Sequence, residues 1–240
     1  QGITGFAAFG FIVPFVLDPA APQRLWMGGD AMWRSDDGAA HWQPASTLLG
    51  GRQASQPLVT AIAVAPRFSG AVGGPAAGAV LAGTTTGAIY RTASGALADG
   101  GTVWPAAQPR EGYVSSVAFD PADPMVAYAA YSNFGGTHLW KTSDGGVSWS
   151  GLDGMGTASL PDVPVHVVAV DPRATRHLYL GTDMGVFVSL DGGASWAVES
   201  TGFPNAVTES LVVAPLPGGE VDLFAFTHGR GAWKVVLPAP

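Results

Sequence analysis

Residues 181–196 read GTDMGVFVSLDGGASW, and the order of structure in them sets the order of structure in the whole chain. Gly181 and Thr182 end a strand, Asp183, Met184 and Gly185 turn the chain, residues 186–190 form a second strand, and a tight turn closes on Trp196. The second half fits Ser/Thr-x-Asp-x-Gly-x-Ser/Thr-Trp through Ser189, Asp191, Gly193, Ser195 and Trp196. The pattern stands again at Thr142, Asp144, Gly146, Ser148 and Trp149. A worn copy stands at Ser35, Asp37, His41 and Trp42, with Ala39 in place of the glycine. The chemistry it predicts is local. The Asp carboxylate accepts N–H groups of its own turn, the glycines allow positive φ where the hairpin reverses, and the indole buries a large apolar area under the turn. The same Asp could instead serve catalysis or a metal. One copy per repeat is what a fold needs, so the structural role is preferred.

Outward from this motif runs a longer repeat. An alternating apolar strand ending in Asp-Pro or Ala-Pro occurs at 12–19 (IVPFVLDP), 60–66 (TAIAVAP), 114–121 (VSSVAFDP), 165–172 (VHVVAVDP) and 210–215 (SLVVAP). Its prolines are 47, 55, 51 and 43 residues apart, a spacing that suits repeated four-stranded units. Second strands are expected at 25–28, 80–83, 126–131, 178–181 and 223–226, and third strands at 31–35, 88–92, 138–142, 186–189 and 232–236. Fourth strands begin at Trp42, Trp104, Trp149 and Trp196. In the second repeat Ser94 replaces the motif Asp. No segment has helical periodicity at helix length.

The motif resembles the Asp-box of the BNR-repeat, sialidase-like, sortilin-like and xyloglucanase-like β-propellers, and the resemblance runs over nearly the whole chain. It implies an all-β fold, a β-propeller of about five four-stranded antiparallel blades with Asp-box hairpins. One domain is expected over 1–240, with blades at 11–50, 58–108, 113–153, 164–200 and 207–237. The fifth repeat stops after its third strand. Residues 1–10 are therefore expected to close the last blade, with 2–9 pairing on 232–236 so that no edge is left open. The rival expectation is that the chain is part of a longer polypeptide, since residue 1 is Gln and the phrase FTHGRGAW at 226–233 resembles an ending of that superfamily.

Composition narrows the function. The chain has 240 residues, 34 of them Gly and 19 Pro, as many short strands and turns require. Net charge is −7 with two lysines, Lys141 and Lys234, which argues against binding a phosphate backbone. Charged residues are 12%, about half the usual share of roughly 25%, so part of the surface is expected to be covered by a partner. The apolar run 6–17 is broken by Gly10 and Pro14 and is too short to span a bilayer. Without cysteine there are no disulfides or thiolate ligands, and His41, His166 and His177 lack metal-ligand spacing. No metal and no cofactor are expected.

In a propeller, loops alternate between two faces. The Asp-Pro turns and boxes share one. The turns between second and third strands share the other with the blade links, and ligands bind there. That loop face would carry Asp30, Thr85, Asn133, Phe134, His138, Asp183, His228 and Arg230, with Arg52, Arg110, Glu111, Asp153, Asp162 and Asn205 on the links. Asp30 and Asp183 occupy the same turn in repeats one and four, and a carboxylate pair suits glycoside hydrolysis. Each also suits a turn cap. Asn133, His138, Asp183, His228 and Arg230 are the ligand-binding candidates, the last two in a Gly-flanked turn fit for an anion. Sialidase activity would need an arginine triad, a Tyr–Glu pair and an acidic catalyst, and the Phe-Arg-Ile-Pro signature is absent. Xyloglucan-hydrolysing relatives use two propellers across a cleft, of which this chain supplies at most one. The expectation is a secreted, periplasmic or cell-surface binding or assembly module for a glycan or protein partner. The alternatives are a glycoside hydrolase domain and a scaffold subunit of a large surface complex.

Overall fold

In the computed structural model, residues 3, 8–51, 56–66, 78–200 and 202–237 are described. They form five antiparallel sheets, four of four strands and one of three. The first holds β1 (Phe15–Asp18), β2 (Ala21–Gly28), β3 (Met32–Ser35) and β4 (Gln43–Pro44). The second holds β5 (Val59–Val64), β6 (Val80–Thr84), β7 (Ile89–Thr92) and β8 (Ala106–Ala107). The third holds β9 (Val114–Phe119), β10 (Ala127–Tyr131), β11 (Leu139–Thr142) and β12 (Ser150–Gly151). The fourth holds β13 (Val165–Val170), β14 (Leu178–Thr182), β15 (Gly185–Ser189) and β16 (Ala197–Val198). The fifth holds β17 (Thr208–Pro215), β18 (Val221–Thr227) and β19 (Gly231–Leu237). Strand order follows chain order in every sheet, as short hairpin connections dictate. The only helices among the described residues are the 3-10 turns Gly95–Leu97 and Gly156–Ala158, and no helix there is long and apolar enough to cross a membrane.

The sheets follow one another as propeller blades, each packing its first strand on the preceding sheet. The apolar cores lie between neighbours. Trp26, Met32 and Leu49 meet Val59, Ile62, Tyr90 and Trp104 in the first core. Leu139 and Tyr128 meet Val165, Leu178, Phe187 and Trp196 in the third. Three of the four interfaces share one joint. A small residue late in the second strand makes room for the residue that opens the next sheet: a Cβ on Gly28 would stand 2.4 Å from Val59 Cγ1, and one on Gly83 2.3 Å from Val114 Cγ1. Gly181 is likewise closed off by the Thr208 carbonyl at 2.5 Å. At all four interfaces β5, β9, β13 and β17 slip register by one residue, at Thr60, Ser115, His166 and Glu209. Such a bulge re-aims the extra side chain.

The ends of the series differ. Among the described residues no contact of comparable extent joins the fifth sheet to the first. Register alignment puts Ile12 where Val59 stands in the second sheet, yet Ile12 is 80% exposed and Val59 2%. The pairing expected of residues 2–9 with 232–236 falls largely outside the described residues. Its described end lies at the first sheet: the Ala8 carbonyl accepts the Asp30 N–H at 2.8 Å, and the Phe9 ring lies where a Gly29 Cβ would stand. Leu58, Tyr113, Pro164 and Val207 offer their carbonyls to the matching turns of the other sheets.

Candidate functional site

The Asp turns are built from within. Asp191 Oδ1 accepts the Ser195 N–H at 2.9 Å and the Ser189 hydroxyl at 2.8 Å, and Oδ2 accepts the Ser195 hydroxyl at 2.6 Å. Asp144 takes Thr142 Oγ1 and the N–H groups of Val147 and Ser148 in the same way. Asp37 takes Ser35 Oγ and the His41 N–H, with His41 Nδ1 at 2.6 Å replacing the missing hydroxyl. Ala39 sits at φ 72°, the left-handed region that Gly146 and Gly193 occupy in the other copies. All three tryptophans are mostly buried, as expected, but unequally: Trp196 is buried outright, whereas Trp42 and Trp149 keep part of the ring exposed. In the second sheet the 3-10 turn Gly95–Leu97 replaces the motif. Arg34 reaches over from β3 to hold it, donating through Nη1 to the carbonyls of Gly95 at 2.7 Å and Ala98 at 2.8 Å.

These bonds favour the ionised carboxylates. Donation from the His41 backbone, then its side chain, holds Asp37 at about 2, and the Ser195 hydroxyl, then its N–H, holds Asp191 at about 2. Asp144 is lowered further by Ser148. A folded pKa below the unfolded one, about 3.9, gives stability that is full above that value and lost as pH falls toward about 2. Urea midpoints measured from pH 5 down to 2 should therefore fall, and fall less steeply in Asp191→Asn. An equally steep fall in that variant would show that the turn is not what titrates.

The loop face gathers the remaining candidates. The bulge residues Thr60 and Ser115 donate their hydroxyls to the Val114 and Val165 carbonyls of the next sheet. The same positions in the fourth and fifth sheets carry ionisable groups that turn to their own sheet. His166 Nε2 lies 2.7 Å from Asp183 Oδ1, and Glu209 Oε1 lies 3.3 Å from His228 Nδ1. Asp183 is thus a partner of His166. Asp30, at the equivalent turn of the first sheet, is 5% exposed, and no hydrogen bond between described residues links the two carboxylates. Among the described residues no three His, Asp or Glu side chains converge as a metal ion requires. Arg230 is exposed, with its carbonyl accepting Trp233 Nε1. Arg52 lies outside the described residues.

Asn133 and His138 organise the third sheet's turn. His138 is buried, with Nδ1 3.1 Å from Asp153 Oδ2 and Nε2 3.1 Å from Asp162 Oδ1. Asp162 also accepts the Gly135 N–H at 2.6 Å. Arg110 donates to the Thr137 carbonyl at 2.9 Å and stacks 5.6 Å over the Tyr131 ring. Asn133 Oδ1 accepts the Tyr113 N–H. These residues hold two neighbouring aromatic groups, Phe134 at 66% exposure and Tyr113 at 42%.

Beside Tyr113 opens a groove of about 260 Å³, lined by Gly10, Phe11, Ile12, Leu58, Val59, Thr60, Thr85 and Tyr113. Phe11 is fully exposed. Thr60 Oγ1 donates to Val114 and Thr85 Oγ1 accepts from Leu58, so the first can still accept and the second still donate. Phe11, Thr60 and Tyr113 were not legible as site residues. The one available signal, and for Thr60 alone, was the polar second residue of four of the five first strands, Thr60, Ser115, His166 and Glu209, which interrupts the apolar run.

Comparison with known proteins extends the fold and stops there. No model of a known protein family matches the chain, and no curated protein does. Many solved structures are similar. An ancestral GH74 enzyme superposes with TM-score 0.64 at 20% identity, over 95% of this chain and 31% of its own. The GH74 xyloglucanase of Xanthomonas campestris gives 0.64 at 18% identity, over 97% and 36%. The Cps50 (Swd1) β-propeller domain of Myceliophteria thermophila gives 0.63 at 12% identity, over 98% and 67%. This chain thus spans about a third of the two GH74 enzymes. At these identities the shared property is the β-propeller fold.

Proposed function

We propose that the chain is an extracytoplasmic glycan-binding propeller unit whose ligand lies in the groove between Phe11 and Tyr113. The observation that carries this reading is the pairing in one groove of two exposed aromatic rings with two threonine hydroxyls. Sugars offer apolar C–H faces and a rim of hydroxyls, and such a lining matches both. A volume of about 260 Å³ is just below the roughly 300–1,000 Å³ of ordinary ligand sites, which suits one unit of a longer saccharide. The likeness in fold to a xyloglucanase supports a glycan as ligand. Hydrolysis is less favoured. It needs two carboxylates facing one bond, whereas Asp30 is buried, Asp183 holds His166, and neither lines this groove.

Calorimetric titration with cello- and xyloglucan-oligosaccharides tests the proposal. Tyr113→Ala should weaken binding about tenfold or more, the loss expected of an anchoring aromatic ring, with the melting temperature unchanged. Absence of saccharide binding, or binding indifferent to Tyr113→Ala, would overturn it. A protein partner is the second reading, supported by the exposed Phe15 and Leu17 on the first sheet and Val212 and Phe226 on the fifth. The native mass of the protein from its source distinguishes the two.

A further inference from the structure

Among the described residues, the interface between the second and third sheets lacks the indole bond that both its neighbours possess and the guanidinium link that the first interface possesses. Trp104 Nε1 donates to the Ala45 carbonyl and Trp196 Nε1 to the Leu152 carbonyl, each at 2.9 Å. Both acceptors directly follow the fourth strand of the preceding sheet. Trp149 Nε1, at the equivalent place in the third sheet, is buried without an acceptor. The cation tells the same story. Arg34 crosses from the first sheet to two carbonyls of the second. Arg91 has the matching register on β7, opposite Leu81 as Arg34 is opposite Trp26. Its stem crosses to the third sheet, where a Cβ on Gly146 would meet Arg91 Cδ at 3.2 Å and Trp149 Cζ2 at 3.7 Å. There the turn carrying Asp144 is already satisfied from within. The Arg91 guanidinium has no hydrogen bond or ion pair with any described residue.

Where those links are missing, a groove of about 360 Å³ opens beside Arg91, Pro105, Met125, Asp144 and Val147, on the face opposite the loops. A half-buried cation without a partner favours an oxyanion. The guanidinium fork fits a carboxylate through two parallel bonds. Met125 and Val147 are exposed apolar surface beside it. Asp144 directs its oxygens into its own turn, accepting from Thr142 Oγ1, Val147 N and both donors of Ser148, and forms no ion pair with Arg91, so the guanidinium fork stays open to another carboxylate.

We infer that this groove is a second binding site, for a small organic carboxylate bearing an apolar group. The carboxylate pairs with Arg91 and the apolar group lies on Met125 and Val147. The site is independent of the glycan groove.

Phenylacetate is a suitable probe, with benzyl alcohol and inorganic sulfate as controls. The readout is the indole N–H resonance of Trp149 in tryptophan-labelled protein, assigned with Trp149→Phe. Phenylacetate should shift it saturably in the millimolar range, and each control should bind at least about tenfold more weakly. Arg91→Gln should weaken phenylacetate binding about tenfold or more, and Met125→Glu, a surface change, should do the same by repulsion. Arg230→Gln should have no effect. The proposal is overturned if phenylacetate causes no saturable shift, if sulfate or benzyl alcohol binds as well, or if both groove variants bind phenylacetate as the parent does.

Discussion

Trp196→Ala should destabilise the protein by about 3–5 kcal/mol, the usual range for deleting a buried indole, and Trp149→Ala by clearly less. The two residues close copies of one sequence pattern, so the difference comes from what they meet. Trp196 is 6% exposed, lies in the core with Leu139, Leu160 and Leu178, and bonds through Nε1 to the Leu152 carbonyl. Trp149 is half-buried and its Nε1 finds no acceptor. Phenylalanine separates ring from bond. Trp196→Phe keeps most of the apolar area but leaves the Leu152 carbonyl without its donor, for about 1–3 kcal/mol. Trp149→Phe removes a donor that was already unsatisfied and should be neutral or slightly stabilising. Urea unfolding of the four variants checks the ordering. A loss above about 1 kcal/mol in Trp149→Phe would mean that the indole N–H is bonded after all.

That contrast marks how far the sequence could be read. The strands were legible because each one carries its own signal. Period-two alternation in VHVVAVDP names a strand and its end, and the Ser189-x-Asp191-x-Gly193 spacing names a turn, without reference to any other part of the chain. Side-chain environments depend on the neighbouring sheet and carry no such signal. Nothing local tells Trp149 from Trp196, or says that Arg34 bonds to Gly95 in the next repeat whereas the Arg91 guanidinium bonds to no described residue. The candidate site divides in the same way. Turn residues such as Asp183 and His228 belong to the loop face by topology alone. Their partners His166 and Glu209 are bulge residues, and a bulge appears only once a strand is paired. Phe11 and Tyr113 lie in the first and third repeats and line one groove only because three successive sheets bring their first strands side by side.

The joint between sheets gives the second large effect and the sharpest test of the architecture. A Cβ placed on Gly83 would stand 2.3 Å from Val114 Cγ1 and 2.7 Å from Val114 Cβ. Val114 is fully buried, opens β9 and has its backbone held by the Tyr131 register and the Thr60 hydroxyl. A β-branched side chain has little rotamer freedom, so it cannot step aside. Gly83→Ala must therefore push the second and third sheets apart, for about 1–3 kcal/mol of overpacking. Val114→Ala alone should cost about as much through the cavity it leaves. Together the two changes exchange one methyl group for others across the same contact. The double variant should be more stable than the sum of the single losses predicts, by roughly 0.5–3 kcal/mol of coupling. Gly28 with Val59 repeats the geometry at the first interface, so Gly28→Ala with Val59→Ala should show coupling of the same sign. Strict additivity at both pairs would mean that the interface between successive sheets is loose enough to absorb a methyl group, and the shared glycine joint would no longer explain why the sheets stack as they do.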